Sequence, residues 1–253
     1  MPLVAVASPK GGVGKTTLVA NLAVALVARG RRVTAVDFDS QNALRFLLLP
    51  DGPATPGIAS CVAQGRPWSN AVITGPSGVR LAPFGPATAA ERLFMKEQLH
   101  ETELTDALSG LLRDDDDVII ADTAPGEGRL QARLEAIADL NVVVLLADAG
   151  SMALVPAFRD GLLLRPPRPQ LPETFGVLNQ VDPRRRLSRE ISEFIQQHNG
   201  GRFIGMVHYD EALAEAAACG RAVVEVAPDS LAARDIQQLA QRLDDLLPAT
   251  QPV

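Results

Sequence analysis

The hydrophobic and polar positions of this chain alternate between short apolar runs and longer segments with helical spacing. Short runs rich in β-branched and apolar residues predict strands at Leu3–Ala7, Val33–Val36, Val118–Ala121, Asn141–Ala147 and Thr174–Leu178. Apolar residues recurring every three or four positions predict helices at Thr16–Arg29, Glu101–Arg113, Leu130–Leu140, Ser188–His198, Glu211–Cys219 and Leu231–Leu246. This succession of strands and helices indicates an α/β fold.

Two of the apolar runs are continuous rather than alternating. Val118–Ala121 and Val142–Ala147 place apolar residues on both faces of the expected strand. Parallel strands that are covered by helices on both sides have this composition. We therefore expect a mostly parallel central sheet with helices on both faces, and we expect Ser188 and Ser230 to cap the helices that follow them.

The segment Pro50–Pro86 is rich in Pro, Gly, Ala and Ser, as a linker or a loop-rich insertion would be. Neither side of this segment would keep a complete sheet alone, so residues 1–253 are expected to form a single domain. The short acidic run Asp114–Asp117 is interpreted as a solvated turn before a buried strand.

Composition narrows the class of protein. The 253 residues carry 24 Lys and Arg against 30 Asp and Glu, a net charge of −6 that argues against wholesale wrapping of nucleic acid. Cys61 and Cys219 are too far apart in sequence for a zinc knuckle, do not support a disulfide framework, and are expected to be small buried residues. No apolar run approaches the ~20 residues of a membrane span, so a cytoplasmic location is expected.

The segment Ser8–Thr17 lies between a predicted strand and a predicted helix and has the character of a phosphate-binding loop. Glycines allow backbone N–H groups to turn toward phosphate oxygens, and the helix that follows presents its positive end to the same anion. In this pattern Lys15 reaches the β- and γ-phosphates and the Thr16 hydroxyl binds Mg²⁺. The expected nucleotide-binding residues of the loop are Gly11, Gly12, Val13, Gly14, Lys15, Thr16 and Thr17.

The loop departs from the ordinary G-x4-G-K-[ST] pattern, because Pro9 stands where that pattern has glycine and Lys10 follows it. A second lysine five residues before the first is the mark of a deviant Walker A loop, and the chain here resembles the MinD/ParA family of ATPases. This resemblance implies a P-loop NTPase fold and an ATP-sandwich homodimer. In such a dimer Lys10 of each subunit crosses to the phosphates of the other and offsets their charge.

Acidic residues end two of the predicted strands. Asp37 and Asp39 are alternate residues, so they project from the same face at the end where open α/β sheets bind ligands. The family resemblance implies that Asp39 orients or activates the attacking water and that Asp37 supports the Mg²⁺ site. The sequence continues Ser40-Gln41 where the family usually has Pro-Gln. Val118–Asp122 looks like a Walker B strand, in which Asp122 holds Mg²⁺ through water.

The base-binding residue is expected in Leu178–Asp182, at the end of another strand. This segment is superficially similar to the N-K-x-D guanine reader of GTPases, but Gln180 replaces the lysine. Adenine, and hence ATP, is favoured over guanine. The resemblance to MinD and ParA implies that Asn179 contacts the adenine.

Longer stretches, Val36–Arg45, Asn179–Arg189 and Asp210–Ala216, resemble the BcsQ branch of this family, the ATPases encoded with bacterial cellulose synthases. That resemblance implies a slow ATPase that regulates assembly or localisation of the cellulose synthesis and secretion complex. It also implies contacts with BcsR-type and BcsE-type secretion proteins and the synthase. Two alternatives remain open, a DNA-partitioning or cell-positioning ATPase and a non-hydrolysing ATP-locked scaffold.

Four arginines cluster around the start of a predicted helix, at Arg184, Arg185, Arg186 and Arg189. The cluster is interpreted first as solvated or internally paired, with a protein contact and then a DNA contact as alternatives. The segment Asp244–Val253 is acidic and broken by proline, which does not suit insertion into anionic lipid. Membrane recruitment through partners is therefore expected, and DNA binding is disfavoured.

Overall fold

The computed structural model describes residues 2–52, 55–97, 101–114, 117–126, 128–154, 156, 173–198 and 201–247. The strands are β1 (Leu3–Ala7), β2 (Val33–Asp37), β3 (Ile73–Thr74), β4 (Arg80–Ala82), β5 (Val118–Asp122), β6 (Leu140–Leu146), β7 (Glu173–Val181) and β8 (Phe203–His208). The first helices are α1 (Lys15–Ala28), α2 (Leu44–Leu48), α3 (Ile58–Ala63), α4 (Ala89–Glu97), α5 (Glu101–Ser109) and α6 (Arg129–Ile137). They are followed by α7 (Ala149–Met152), α8 (Arg186–His198), α9 (Glu211–Ala218), α10 (Val223–Val226) and α11 (Leu231–Leu246).

The strands of the described residues form one eight-stranded sheet in the order β3-β4-β2-β5-β1-β6-β7-β8. All neighbouring pairs are parallel except β3 and β4, which are antiparallel. The chain order reverses on either side of β1, so the loop after β1 lies at the point where an open α/β sheet binds its ligand. The predicted mostly parallel sheet is confirmed.

Successive residues of β1 face opposite layers of the core. Val4 and Val6 pack on the side of α1 and α11, whereas Leu3 and Ala5 pack on the side of α3 to α6. Because both faces are buried, the central strands carry apolar side chains at most positions on both faces. The expected helices on both faces of the sheet are therefore present.

Most predicted boundaries shift by a few residues, and three assignments differ in a way that matters for the fold. Leu140 begins β6 instead of ending a helix, because its backbone continues the parallel ladder with β1. The segment Pro50–Pro86 is not a plain loop, since it contains α3, β3 and β4. Ser188 lies inside α8 and its hydroxyl accepts a hydrogen bond from the Asp182 N–H, while Ser230 caps α11 as expected by accepting from the Ala233 N–H.

Two further expectations about burial are wrong. Asp117 is buried instead of solvated, because it pairs with the Arg32 guanidinium at 2.5 Å and accepts from the Arg113 N–H. Burial alone would raise the pKa of Asp117, but these hydrogen bonds and the arginine charge lower it below its ordinary value. Cys61 is buried as expected, whereas Cys219 is exposed just after the end of α9.

Candidate functional site

The loop between β1 and α1 has the geometry of an anion cradle. Gly12 and Gly14 adopt positive φ angles of 74° and 85°, which L-residues with side chains rarely adopt. The Ser8 hydroxyl stabilises the turn by donating to the Lys10 carbonyl at 2.7 Å and accepting from the Lys10 N–H. Helix α1 begins at Lys15, one residue earlier than expected, so its first N–H groups open onto the loop.

Asn179 packs directly against this loop. Its Nδ2 donates to the Val13 carbonyl at 2.8 Å, and its side chain is buried. A Cβ on Gly14 would collide with the same Nδ2 atom, so glycine is required there by close approach as well as by φ. The structure therefore gives Asn179 a hydrogen bond that supports the loop, and its contact with the base stays a prediction.

The carboxylates of Asp37 and Asp122 lie side by side, because these residues are register partners at the ends of β2 and β5. Both are fully buried. The two oxygens of Asp37 accept from the Asp39 and Leu44 N–H groups at 2.9 and 3.2 Å. Burial, followed by the charge of Asp122, holds the pKa of Asp37 well above its ordinary value.

Asp122 differs from Asp37 in the hydrogen bonds of its carboxylate. Neither of its carboxylate oxygens has a hydrogen-bond partner within the described part of the chain. Burial raises the pKa of Asp122 to about 6, although the Thr16 hydroxyl and the Lys15 ammonium act in the opposite direction. A buried carboxylate with free oxygens next to a hydroxyl is the donor set that Mg²⁺ uses beside a nucleotide. The residues therefore fit the expected ion, with Thr16 and Asp122 as its holders and Asp37 behind them.

Lys15 and Asp39 complete this group of charges. Lys15 is 6% exposed, and burial lowers the pKa of its ammonium while Asp122 and Asp39 act to raise it. Asp39 is partly exposed, and its Oδ1 accepts from the Gln41 N–H at 2.9 Å in a tight turn. The structure thus brings Lys15, at the start of α1, close to the acids that the sequence placed at the ends of two different strands.

The second lysine of the loop has a partner that sequence reasoning missed. The Lys10 ammonium forms an ion pair with the Asp148 carboxylate, and the side chains of both are about two-fifths exposed. Asp148 also caps α7, because its Oδ1 accepts from the Ser151 N–H at 2.8 Å. Aspartate is a preferred N-cap residue, so the sequence could have indicated the cap, but it could not have indicated the pairing of Asp148 with Lys10 across the fold.

The arginine cluster is largely paired internally. Arg184 pairs with Asp182 and Arg186 pairs with Glu190, at 2.9 and 2.7 Å. Arg189 donates to the Pro183 carbonyl at 2.7 Å. These contacts agree with the first interpretation of the cluster as solvated or internally paired.

The buried acids lead to a prediction about stability. Replacing Asp122 by asparagine is expected to stabilise the nucleotide-free fold at pH 7 by about 1–2 kcal/mol, because burial of its charge costs more than the neighbouring Thr16 hydroxyl and Lys15 ammonium recover. The pKa of Asp122 is about 4 in the unfolded chain and about 6 in the folded one. Ionisation of this carboxyl therefore lowers the free energy of unfolding progressively as the pH rises from about 4 to about 6. The gain should therefore grow over that interval and level off above it, as measured by urea unfolding.

Asp37→Asn is the matched control for that measurement. An asparagine there offers one oxygen where two N–H groups now find acceptors, so one of them would lose its partner. We expect Asp37→Asn to gain less stability than Asp122→Asn. A gain for Asp122→Asn that did not change between pH 4.5 and 8 would contradict the buried-charge explanation.

Comparison with known proteins places the chain in a family. Residues 1–243 match the family described as "Cellulose biosynthesis protein BcsQ". The chain is 28% identical to "Cellulose biosynthesis protein BcsQ" of Escherichia coli (strain K12), over 91% of this chain and 89% of that protein. It is 29% identical to "Chromosome-partitioning ATPase Soj" of Thermus thermophilus, over 95% of this chain and 94% of that protein.

The fold matches solved structures of the same kind. The septum site-determining protein MinD of Pyrococcus horikoshii OT3, complexed with Mg-ADP, superposes with a TM-score of 0.77 at 22% identity, over 97% of this chain and 96% of that one. This likeness confirms the fold that the loop predicted, and the family match covers nearly the whole chain. The chain therefore belongs to the BcsQ family of cellulose biosynthesis proteins, among the P-loop ATPases of the MinD/ParA type.

Proposed function

We propose that this chain is an ATP- and Mg²⁺-dependent dimerising switch whose slow hydrolysis of ATP regulates assembly or localisation of the bacterial cellulose synthesis and secretion complex. The observation that carries the proposal is the phosphate loop, in which both Lys10 and Lys15 are present and Lys15 lies beside buried acids. The BcsQ family supports the cellulose context.

The roles of the residues follow from their chemistry. The loop N–H groups and Lys15 bind the phosphates, and Thr16 and Asp122 hold Mg²⁺, which neutralises phosphate charge when it is bound. Asp39, partly exposed beside these groups, orients the attacking water. Lys10 reaches the nucleotide of a second copy, which makes dimerisation report whether ATP is bound.

Partners and location belong to the same proposal. BcsR-type and BcsE-type proteins and the cellulose synthase are the proposed partners of the ATP-bound homodimer, and they bring it to the inner membrane. No helix among the described residues is long and apolar enough to cross a membrane. Direct lipid insertion and DNA binding are not part of the proposal.

The partner proposal is tested by tagging the full chain in its own host and identifying the proteins that co-purify with it in ATP and Mg²⁺. Cellulose-secretion proteins are expected, and the Lys15→Ala variant should lose them because it cannot bind nucleotide. Recovery of chromosome-partition proteins together with salt-sensitive DNA binding would favour the DNA-partitioning alternative. Stoichiometric ATP that persists unhydrolysed through purification would favour the locked scaffold.

The ion pair between Lys10 and Asp148 gives a further prediction. Asp148→Asn keeps the oxygen that caps α7 but removes the charge that holds Lys10 within its own subunit. We expect the ATP-dependent dimer to tighten by about two- to fivefold, since partly exposed ion pairs are worth less than about 1 kcal/mol. Analytical ultracentrifugation in ATP measures this, and a weaker dimer would indicate that Asp148 supports the interface instead.

A further inference from the structure

The loop after β7 carries a carboxylate, Asp182, three residues beyond Asn179, the residue proposed to contact the base. Asn179 touches the phosphate loop through Val13, and the Gln180 amide nitrogen lies 3.6 Å from the position of a Cβ on Gly14. Gln180 has a positive φ of 55°, an uncommon conformation for a residue with a side chain. Asp182 follows this turn at the carboxyl end of β7, the end at which α/β sheets bind ligands.

Both oxygens of the Asp182 carboxylate are occupied by one residue. Oδ1 accepts from the Arg184 backbone N–H at 3.0 Å and from Arg184 Nε at 2.9 Å, and Oδ2 accepts from Arg184 Nη2 at 3.2 Å. This is the bidentate arrangement that a guanidinium makes with a carboxylate. The Asp182 side chain is only 16% exposed, whereas that of Arg184 is 77% exposed.

The neighbouring charges do not replace this contact. Arg185 acts on the Asp182 carboxylate through its charge, and its backbone N–H donates to the Asp182 carbonyl at 3.1 Å. Glu211, at the start of α9, accepts from the Tyr209 hydroxyl at 3.3 Å and adds negative charge near Arg184. Arg184 is therefore the residue that determines whether the Asp182 oxygens are available to a ligand.

A free Asp182 carboxylate would favour binding of guanine but not of adenine. Guanine presents N–H donors at N1 and at its exocyclic N2, which a free carboxylate accepts together, whereas adenine has an acceptor at N1 and no amine at C2. A carboxylate already paired is a poorer acceptor for guanine, because guanine must compete with Arg184 for its oxygens. Adenine loses nothing by the same pairing.

We infer that Arg184 sets the purine specificity of this chain, because it holds Asp182 in a bidentate pair and so withholds the acceptor that guanine requires. This inference rests on the proposed function as an ATP-binding protein and names the residue that excludes GTP. Freeing Asp182 should convert the loop toward the N-x-x-D guanine reader that its sequence superficially resembles.

The test measures affinities for ATP, GTP and inosine triphosphate, with Mg²⁺, by competition against a fluorescent ATP analogue. In Arg184→Gln the ratio of the GTP to the ATP dissociation constant is expected to fall by about two- to fivefold, because the gain cannot exceed the free energy that guanine must spend to break this largely exposed ion pair. The gain should be smaller for inosine triphosphate, which has the N1 donor but lacks the N2 amine. Adding Asp182→Asn to Arg184→Gln should remove the gain.

Arg186→Gln is the matched control, since it removes the same charge from the same cluster but breaks only the pair with Glu190. Its GTP to ATP ratio should equal that of the wild type. An unchanged ratio in Arg184→Gln, or an equal shift for all three nucleotides, would overturn the inference while leaving the proposed function in place. A folded wild-type chain that bound no ATP would overturn the proposed function itself.

Discussion

Replacing Lys15 by alanine is expected to abolish nucleotide binding, whereas replacing Lys10 by alanine is expected to leave it nearly intact and abolish ATP-dependent dimerisation. Lys15 is buried at the start of α1 beside Asp122, so it acts on phosphates within its own subunit. Its loss should weaken ATP binding by about 100-fold or more, because a charge-assisted contact in a buried site is lost. Calorimetry with ATP and Mg²⁺ measures this affinity.

Lys10 should behave differently because its side chain is partly exposed and pairs with Asp148, whereas Lys15 is buried. Its loss should weaken the ATP-bound dimer by about 100-fold, since two facing triphosphates would then repel each other without a cation between them. Light scattering with and without ATP separates the two variants. Lys96→Ala, which changes the remaining lysine of the chain in α4, is the control. Dimers of normal stability in Lys10→Ala would refute the role of Lys10 across the interface.

The parts of the site that sequence predicted share one physical basis. A phosphate loop depends on consecutive residues, and the acids that end β2 and β5 depend on strand periodicity and on the rule that parallel strands end at one edge. The phosphate loop and the strand-end acids are both recognised from local sequence, so the sequence alone predicts that Lys15, Asp37 and Asp122 belong to one site. The register between β2 and β5 then brings the two acids side by side.

The features that sequence missed depend on distant pairings or on very short elements. Lys10 and Asp148 are 138 residues apart, and nothing in either segment indicates the other. Strands β3 and β4 have two and three residues, too few to show a period, and exist because the sheet edge offers them partners. Asp117 belongs to an acidic run typical of a solvated turn, and only the fold supplies the arginine that buries it.

Asp39→Ala is expected to trap the ATP-bound dimer by slowing hydrolysis at least about 100-fold, the usual contribution of a positioned base. Asp39 is the partly exposed acid of the group, and its charge reaches Lys15 and Asp122. Its carboxylate also accepts from the Gln41 N–H, so alanine removes both a charge and a turn. Asp39→Asn separates these effects, because an amide oxygen can keep the turn while the charge is lost. Phosphate release and dimer lifetime should change alike in both variants if the charge positions the water, whereas normal hydrolysis in Asp39→Asn would reduce the role of Asp39 to shaping the loop.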